Sequence, residues 1–176
     1  QEGLRIVSLS AGQRPNVIPG KATAVLYAPD PKALSQSVEA ALAGHPDQDN
    51  VHLTLEGHTA VLDCQGIVGH ASTPEKGRNA ASLLLSVLRC LPLCDAPMEN
   101  TVRALARIIG DATDGRYLGV ACQDELSGAL TCNLGLLSAG DSGIDFTLDF
   151  RYPLCTSEQT ILDQLGKAFD GTGFTL

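Results

Sequence analysis

His70 sits inside Gly69-His-Ala-Ser-Thr-Pro-Glu-Lys-Gly-Arg-Asn-Ala-Ala81, a polar turn between a strand-like run and a strongly helical one. Such a junction can hold an imidazole near the positive end of a helix dipole, facing a substrate. The plainer reading is a strand-end histidine bonded to its own loop. By strict alternation His70 falls in phase with Ala60, Leu62, Cys64 and Val68, so the strand must end or bulge to turn it outward. Arg151 follows Asp149 by two residues near the end of an alternating run. A guanidinium fork fits a carboxylate through two parallel hydrogen bonds, whether that carboxylate is a ligand's or Asp149's own. Asn16, between Pro15 and Pro19, offers an amide donor or serves as an ordinary turn residue.

Other reactive side chains read as bland. His45 follows a helix end, where a cation suits the dipole, and His52 and His58 flank a hairpin turn. Asp124-Glu125 reads as an exposed acidic pair in a loop. Cys90-Leu-Pro-Leu-Cys94 is half of a zinc site with no second half. Cys64 or Cys132 paired with His70 would make a small cysteine hydrolase, but nothing in the sequence places them together. The six cysteines lie in apolar segments and are expected to be buried free thiols.

The elements that must position these residues follow from periodicity. Leu4–Leu9 and Ala22–Tyr27 read as strands joined by a turn-rich segment, residues 11–20. Pro31–Ala43 has helical spacing and stops at Gly44. Val51–Leu55 and Thr59–Val68 form a hairpin around Glu56-Gly57-His58. A helix over about Gly77–Leu91 presents Ala80, Leu84, Leu85, Leu88 and Leu91; a capping box at Ser72-Thr-Pro-Glu75 leaves open whether it starts before or after Gly77. A third helix spans about Met98–Ile109, and residues 110–128 are loop-rich. Ala129–Leu137 and Ile144–Tyr152 form a second hairpin around residues 138–143. In its second strand Ile144, Phe146, Leu148 and Phe150 face one way, and Asp145, Thr147, Asp149 and Arg151 the other. A capping box at Thr156-Ser-Glu-Gln159 starts a last helix to about Phe169, and Phe174–Leu176 begins a final strand. Hairpins with helices on one face predict an α+β fold, with antiparallel sheet packed against helices.

Three motifs, in order, resemble one family. They are Gly12 with Pro15-Asn-Val-Ile-Pro19, Gly69-His-Ala-Ser72 with Pro74-Glu-Lys-Gly77 and Asn79-Ala80, and Asp149-Phe-Arg-Tyr-Pro153. The chain resembles the lid domain of the two-zinc exopeptidases, which include aminoacylase, carboxypeptidase G, succinyl-diaminopimelate desuccinylase and peptidase V. Asn133-Leu-Gly135 and the long segment between the second and third motifs resemble the peptidase V branch. The resemblance implies a ferredoxin-like sandwich, single or duplicated as two subdomains, with residues 1–176 as a lid inserted in a longer dipeptidase. It implies that His70 stabilises the oxyanion of the tetrahedral intermediate. Asn16 would donate to the same oxygen or position the scissile peptide, and Arg151 would clamp the substrate carboxylate. The resemblance implies two zinc ions and a glutamate base in a flanking catalytic domain of the same polypeptide. No metal ligands or other cofactors are expected in this chain, which alone should hydrolyse nothing. The resemblance further implies a small peptide or N-acyl amino acid as substrate. A monomer is expected for the peptidase V type and a homodimer otherwise.

Composition bounds the remaining classes. The 176 residues suffice for a real core, are 44% hydrophobic and carry a net charge of −8. That charge, with 4% aromatics and no Trp, argues against nucleic-acid and anionic-membrane partners. No apolar run reaches transmembrane length and the first residues show no signal-peptide pattern, so a cytoplasmic location is expected. A stand-alone α+β amino-acid-binding or regulatory module is the competing reading, since fold alone permits it.

Overall fold

The computed structural model describes residues 3–140 and 143–176. Asp141 and Ser142, within the expected second hairpin turn, lie outside the described residues, as do Gln1 and Glu2.

Along the chain the strands are β1 (Arg5–Ala11), β2 (Val17–Ile18) and β3 (Lys21–Tyr27), followed by helix α1 (Pro31–Leu42). Strands β4 (Val51–Glu56), β5 (Thr59–Gln65) and β6 (Gly69–His70) precede helices α2 (Ala80–Leu88) and α3 (Ala96–Ile109). Then come β7 (Gln123–Asp124), β8 (Gly128–Ala129), β9 (Thr131–Gly140), β10 (Gly143–Arg151) and α4 (Glu158–Phe169).

Six strands form one sheet in the order β10-β9-β1-β3-β5-β4, antiparallel throughout. The expected α+β sandwich is what forms. β3-α1-β4 is a split β-α-β unit, with β5 between its two parallel strands. β1 occupies the place beside β3 that the fourth strand takes in a ferredoxin-like order. Two helices, α2 and α3, lie between β5 and β9, and β9 is added outside β1. The six strands of the large sheet share one hydrophobic core.

Helices cover one face of the sheet. β3 contributes Ala22, Ala24 and Leu26, and β5 contributes Ala60, Leu62 and Cys64, all fully buried. Against them packs α2, whose Ala80, Ala81, Leu83, Leu84, Leu85, Val87 and Leu88 are all buried. A helix apolar on nearly every side belongs in the middle of a helix layer, and α2 lies against β3, β5, β9, α1 and α3. A bulge in β1 at Val7 lets Ile6 and Leu9 both face this core while Val7 points out, half exposed.

Local chemistry shifts several expected boundaries. Helix α2 begins at Ala80, capped by Asn79, whose Oδ1 accepts from the N–H groups of Ala81 and Ser82. The expected capping box at Ser72 does not cap it; Pro74–Lys76 is a single 3₁₀ turn. The cap of α4 is Ser157, one residue later than expected. Phe174–Leu176 forms no strand; Phe174 instead packs edge-on against Phe146 and Phe169, with centroids 4.9 and 5.9 Å away.

Candidate active site face

Gly66 follows β5 and takes the chain out of the sheet. A Cβ there would collide with the Arg78 carbonyl and crowd the Ala80 nitrogen and Pro19 carbonyl, so only glycine allows these backbones to meet. Beyond it Ile67 pairs with Arg78 through reciprocal 2.9 Å backbone hydrogen bonds, and Val68 is exposed. The alternation that would have turned His70 inward is broken there.

His70 then lies in β6, which pairs antiparallel with β2: Val17 stands opposite His70 and Ile18 opposite Gly69. Ala71 N–H donates to the Asn16 carbonyl at 3.0 Å. The two candidates separated by 54 positions are thus neighbours through backbone pairing. His70 is exposed and Asn16 half-buried. Among the described residues the Asn16 side chain forms no hydrogen bond.

The His70 ring is oriented by its own loop. Ser72 N–H donates to Nδ1 at 3.1 Å, and the Ser72 hydroxyl lies 2.7 Å from the same nitrogen. A ring nitrogen that accepts a backbone N–H carries no proton. The neutral imidazole therefore holds its hydrogen on Nε2, which is left as a donor. This local bonding was the plain reading of His70; here it sets the tautomer as well. Ser72, which the sequence suggested as a helix cap, is the orienting residue.

Behind this pair stands Asn133, the one buried polar residue among those described, 5% exposed. Its Nδ2 donates to the carbonyls of Pro15 at 2.9 Å and Val17 at 3.1 Å, on either side of Asn16. Its Oδ1 accepts from Asn79 Nδ2 at 3.1 Å, and Asn79 also donates to the Leu134 carbonyl at 2.9 Å. The sequence marked Asn133 only as part of a motif. Its only individual signal was an asparagine in an otherwise apolar strand.

Arg151 lies on the edge strand β10, on the outer face. Asp149, two residues before it, stands opposite Asn133 in the β9–β10 register. Arg151 Nε donates to Asp149 Oδ1 at 2.8 Å and Nη2 to Oδ2 at 3.4 Å. That carboxylate raises the guanidinium pKa above its ordinary value. The pair occupies one side of the fork and leaves the Nη1–Nη2 end open. The Arg151 side chain is 47% exposed.

The end of β10 is anchored by Asp124. Its carboxylate accepts from the Ser127 hydroxyl and N–H, the Leu126 N–H and the Cys155 N–H, at 2.6–3.1 Å. Ser127 Oγ in turn accepts the Leu154 N–H at 2.8 Å. These bonds, the Ser127 hydroxyl first, hold the Asp124 pKa down at about 2. Asp124 is a structural knot rather than a free acid.

The cysteine-hydrolase reading is overturned. Cys64 and Cys132 are buried, and burial pushes both thiols up to about 12. Neither forms a thiolate near neutral pH, and neither makes a hydrogen bond to the exposed His70. The expectation of uniformly buried thiols is also corrected: Cys90, Cys94 and Cys155 are exposed and Cys122 half-buried.

Among the described residues no group of three or more His, Cys, Asp or Glu side chains is placed to hold a metal ion. The chain does contain one His-x-Asp, His45-Pro46-Asp47, which the expectation of no metal ligands passed over. His45 Nδ1 accepts the Asp47 N–H at 3.0 Å, and Asp47 pairs with Arg78 at 2.6 Å. Both groups are engaged locally, so the residues present do not fit a zinc ion. No helix among those described is long and apolar enough to cross a membrane.

A cleft of about 730 Å³ opens in the helix layer and reaches Asn79 and Asn133, but neither His70 nor Asn16 lines it. The two candidates stand instead on an open surface. A reaction there needs a second surface facing it.

No family model matches the chain. It is similar to "Putative dipeptidase YtjP" of Bacillus subtilis (strain 168), 30% identical over 164 residues. That match covers 93% of this chain and 35% of the relative. The chain is also 28% identical over 162 residues to "Beta-Ala-Xaa dipeptidase" of Lactobacillus delbrueckii subsp. lactis, covering 92% of this chain and 34% of that protein. The chain spans about a third of the length of the curated relatives it matches.

Proposed function

We propose that this chain is the lid and substrate-binding domain of a zinc-dependent dipeptidase resembling peptidase V, acting on small peptides or N-acyl amino acids. The observation that carries the reading is the placement of His70. Its Nδ1 is occupied by Ser72, its Nε2–H is left to donate, and the Asn16 amide lies one strand pairing away. The similarity to two dipeptidases along nearly the whole chain supports the same reading.

In this reading His70 Nε2–H donates to the substrate carbonyl oxygen as negative charge grows there. Asn16 donates to that oxygen or aligns the scissile peptide. Arg151 receives the substrate carboxylate on the open end of its fork while Asp149 holds the other side. The opposing surface, with the zinc ions implied by the resemblance, would belong to the catalytic domain of the same polypeptide. The protein would work in the cytoplasm as a monomer, with no nucleic-acid or membrane partner.

The test is His70→Ala in the full-length protein, assayed on dipeptides. kcat should fall about 10²–10³-fold, with the circular dichroism spectrum unchanged. An unchanged kcat would remove the oxyanion role and this reading with it.

A further inference from the structure

We infer that Asn133 is a positioning residue for Asn16, an inference that rests on the proposed lid role for the reaction it affects. The argument starts from satisfaction of buried polar groups. Asn79 must turn Oδ1 toward the N–H groups of Ala81 and Ser82 to cap α2. Its Nδ2 is thereby aimed at Asn133 Oδ1 and the Leu134 carbonyl. Asn133 must then present Nδ2 on its other side, toward the carbonyls of Pro15 and Val17. Each step fixes the next, so the amide orientations of both residues are determined by the helix N-terminus.

The outcome is a three-point hold on one short segment. Asn133 takes the carbonyls of Pro15 and Val17, and Ala71 N–H takes the carbonyl of Asn16 between them. Gly135 lets the segment approach: a Cβ there would run into the Pro15 carbonyl. With its backbone held on both sides, the Asn16 side chain has a defined direction although it makes no bond of its own among the described residues. The hold joins three sequence-distant parts, the turn at 15–17, the start of α2 and strand β9. An asparagine buried in β9 with both of its amide donations directed at one turn is dear to keep unless that turn must be rigid.

The experiment uses the full-length protein and dipeptide substrate. Asn133→Ser removes both donations yet retains a hydroxyl for Asn79. It should lower kcat about 10–100-fold with KM little changed, as for a misplaced catalytic group. In an Asn16→Ala background the same substitution should cost much less, because the residue it positions is gone. Equal fold-losses in both backgrounds would mean a general structural role and overturn the inference. Hydrogen exchange supplies a readout independent of activity. In Asn133→Ser, peptides covering residues 14–20 and 67–73 should exchange faster while β3 and β5 keep their protection. Unchanged exchange in those peptides overturns the clamp. If Asn16→Ala alone retains full activity, the functional role of Asn16 fails, and the exchange result still decides whether Asn133 holds the turn.

Discussion

His70, Ser72 and Arg151 show how little of a side chain's chemistry is set by its own identity. An exposed histidine can present either nitrogen, but the Ser72 N–H leaves only Nε2 carrying a proton in the neutral ring. Arg151 is already paired with Asp149, so its availability depends on which edge of the guanidinium is used. Removing it should discriminate between substrates. Arg151→Ala should lower kcat/KM for free dipeptides about 10–100-fold, the loss of a charge-assisted hydrogen bond, while C-terminal amides are spared. Kinetics on a matched acid and amide pair decide this; equal losses on both would make Arg151 a purely structural partner of Asp149. The types and motifs of His70, Asn16 and Arg151 were legible in the sequence. The orienting roles of Ser72 and Asn133 were not, because each depends on where a backbone group from another segment arrives.

At the level of elements, the loops around the site are fixed by carboxylates and amides that bond backbone groups. Asp124 ties the β7–β8 turn to the residues that follow Arg151, and its pKa is lowered to about 2. The sign follows from the lowered value. The stabilisation is fully present above the unfolded carboxylate pKa of about 4 and is lost as pH falls through about 2. Chemical denaturation of the wild type and Asp124→Asn should therefore show a stability gap at pH 5 that closes toward pH 2. A gap independent of pH over that range would show that the charge of Asp124 is irrelevant. Helix positions were well read from periodicity, since Leu and Val at helical spacing leave little choice of face. The sequence leaves the start of α2 open on either side of Gly77 because Ser72-Thr-Pro-Glu75 matches a capping box; in the fold Ser72 is drawn to His70 and Asn79 makes the cap.

The whole molecule is a one-sided sandwich, and its two faces have opposite chemistry. The helix-covered face holds Cys64 and Cys132; the outer face bears Arg151 and Asp149, beside the β2–β6 pair. Thiol labelling of the native protein reads this division directly. Cys90, Cys94 and Cys155 should react with iodoacetamide near neutral pH, whereas Cys64 and Cys132 should label only after unfolding. Rapid native labelling of either buried thiol, located by peptide mass spectrometry, would contradict the packing of β5 or β9. The sequence by itself determined the α+β class, the apolar faces of the helices and the inward face of β10, because burial imposes a period that local reading detects. It also supplied the motifs of His70, Asn16 and Arg151. Only the tertiary structure decided that His70 turns outward and that Asn16 lies beside it. It alone brought the Asn133 amide to the carbonyls on either side of Asn16. Those relations are made by backbone carbonyls and amides meeting across 50 to 120 positions of chain, and no local pattern of side chains encodes such meetings.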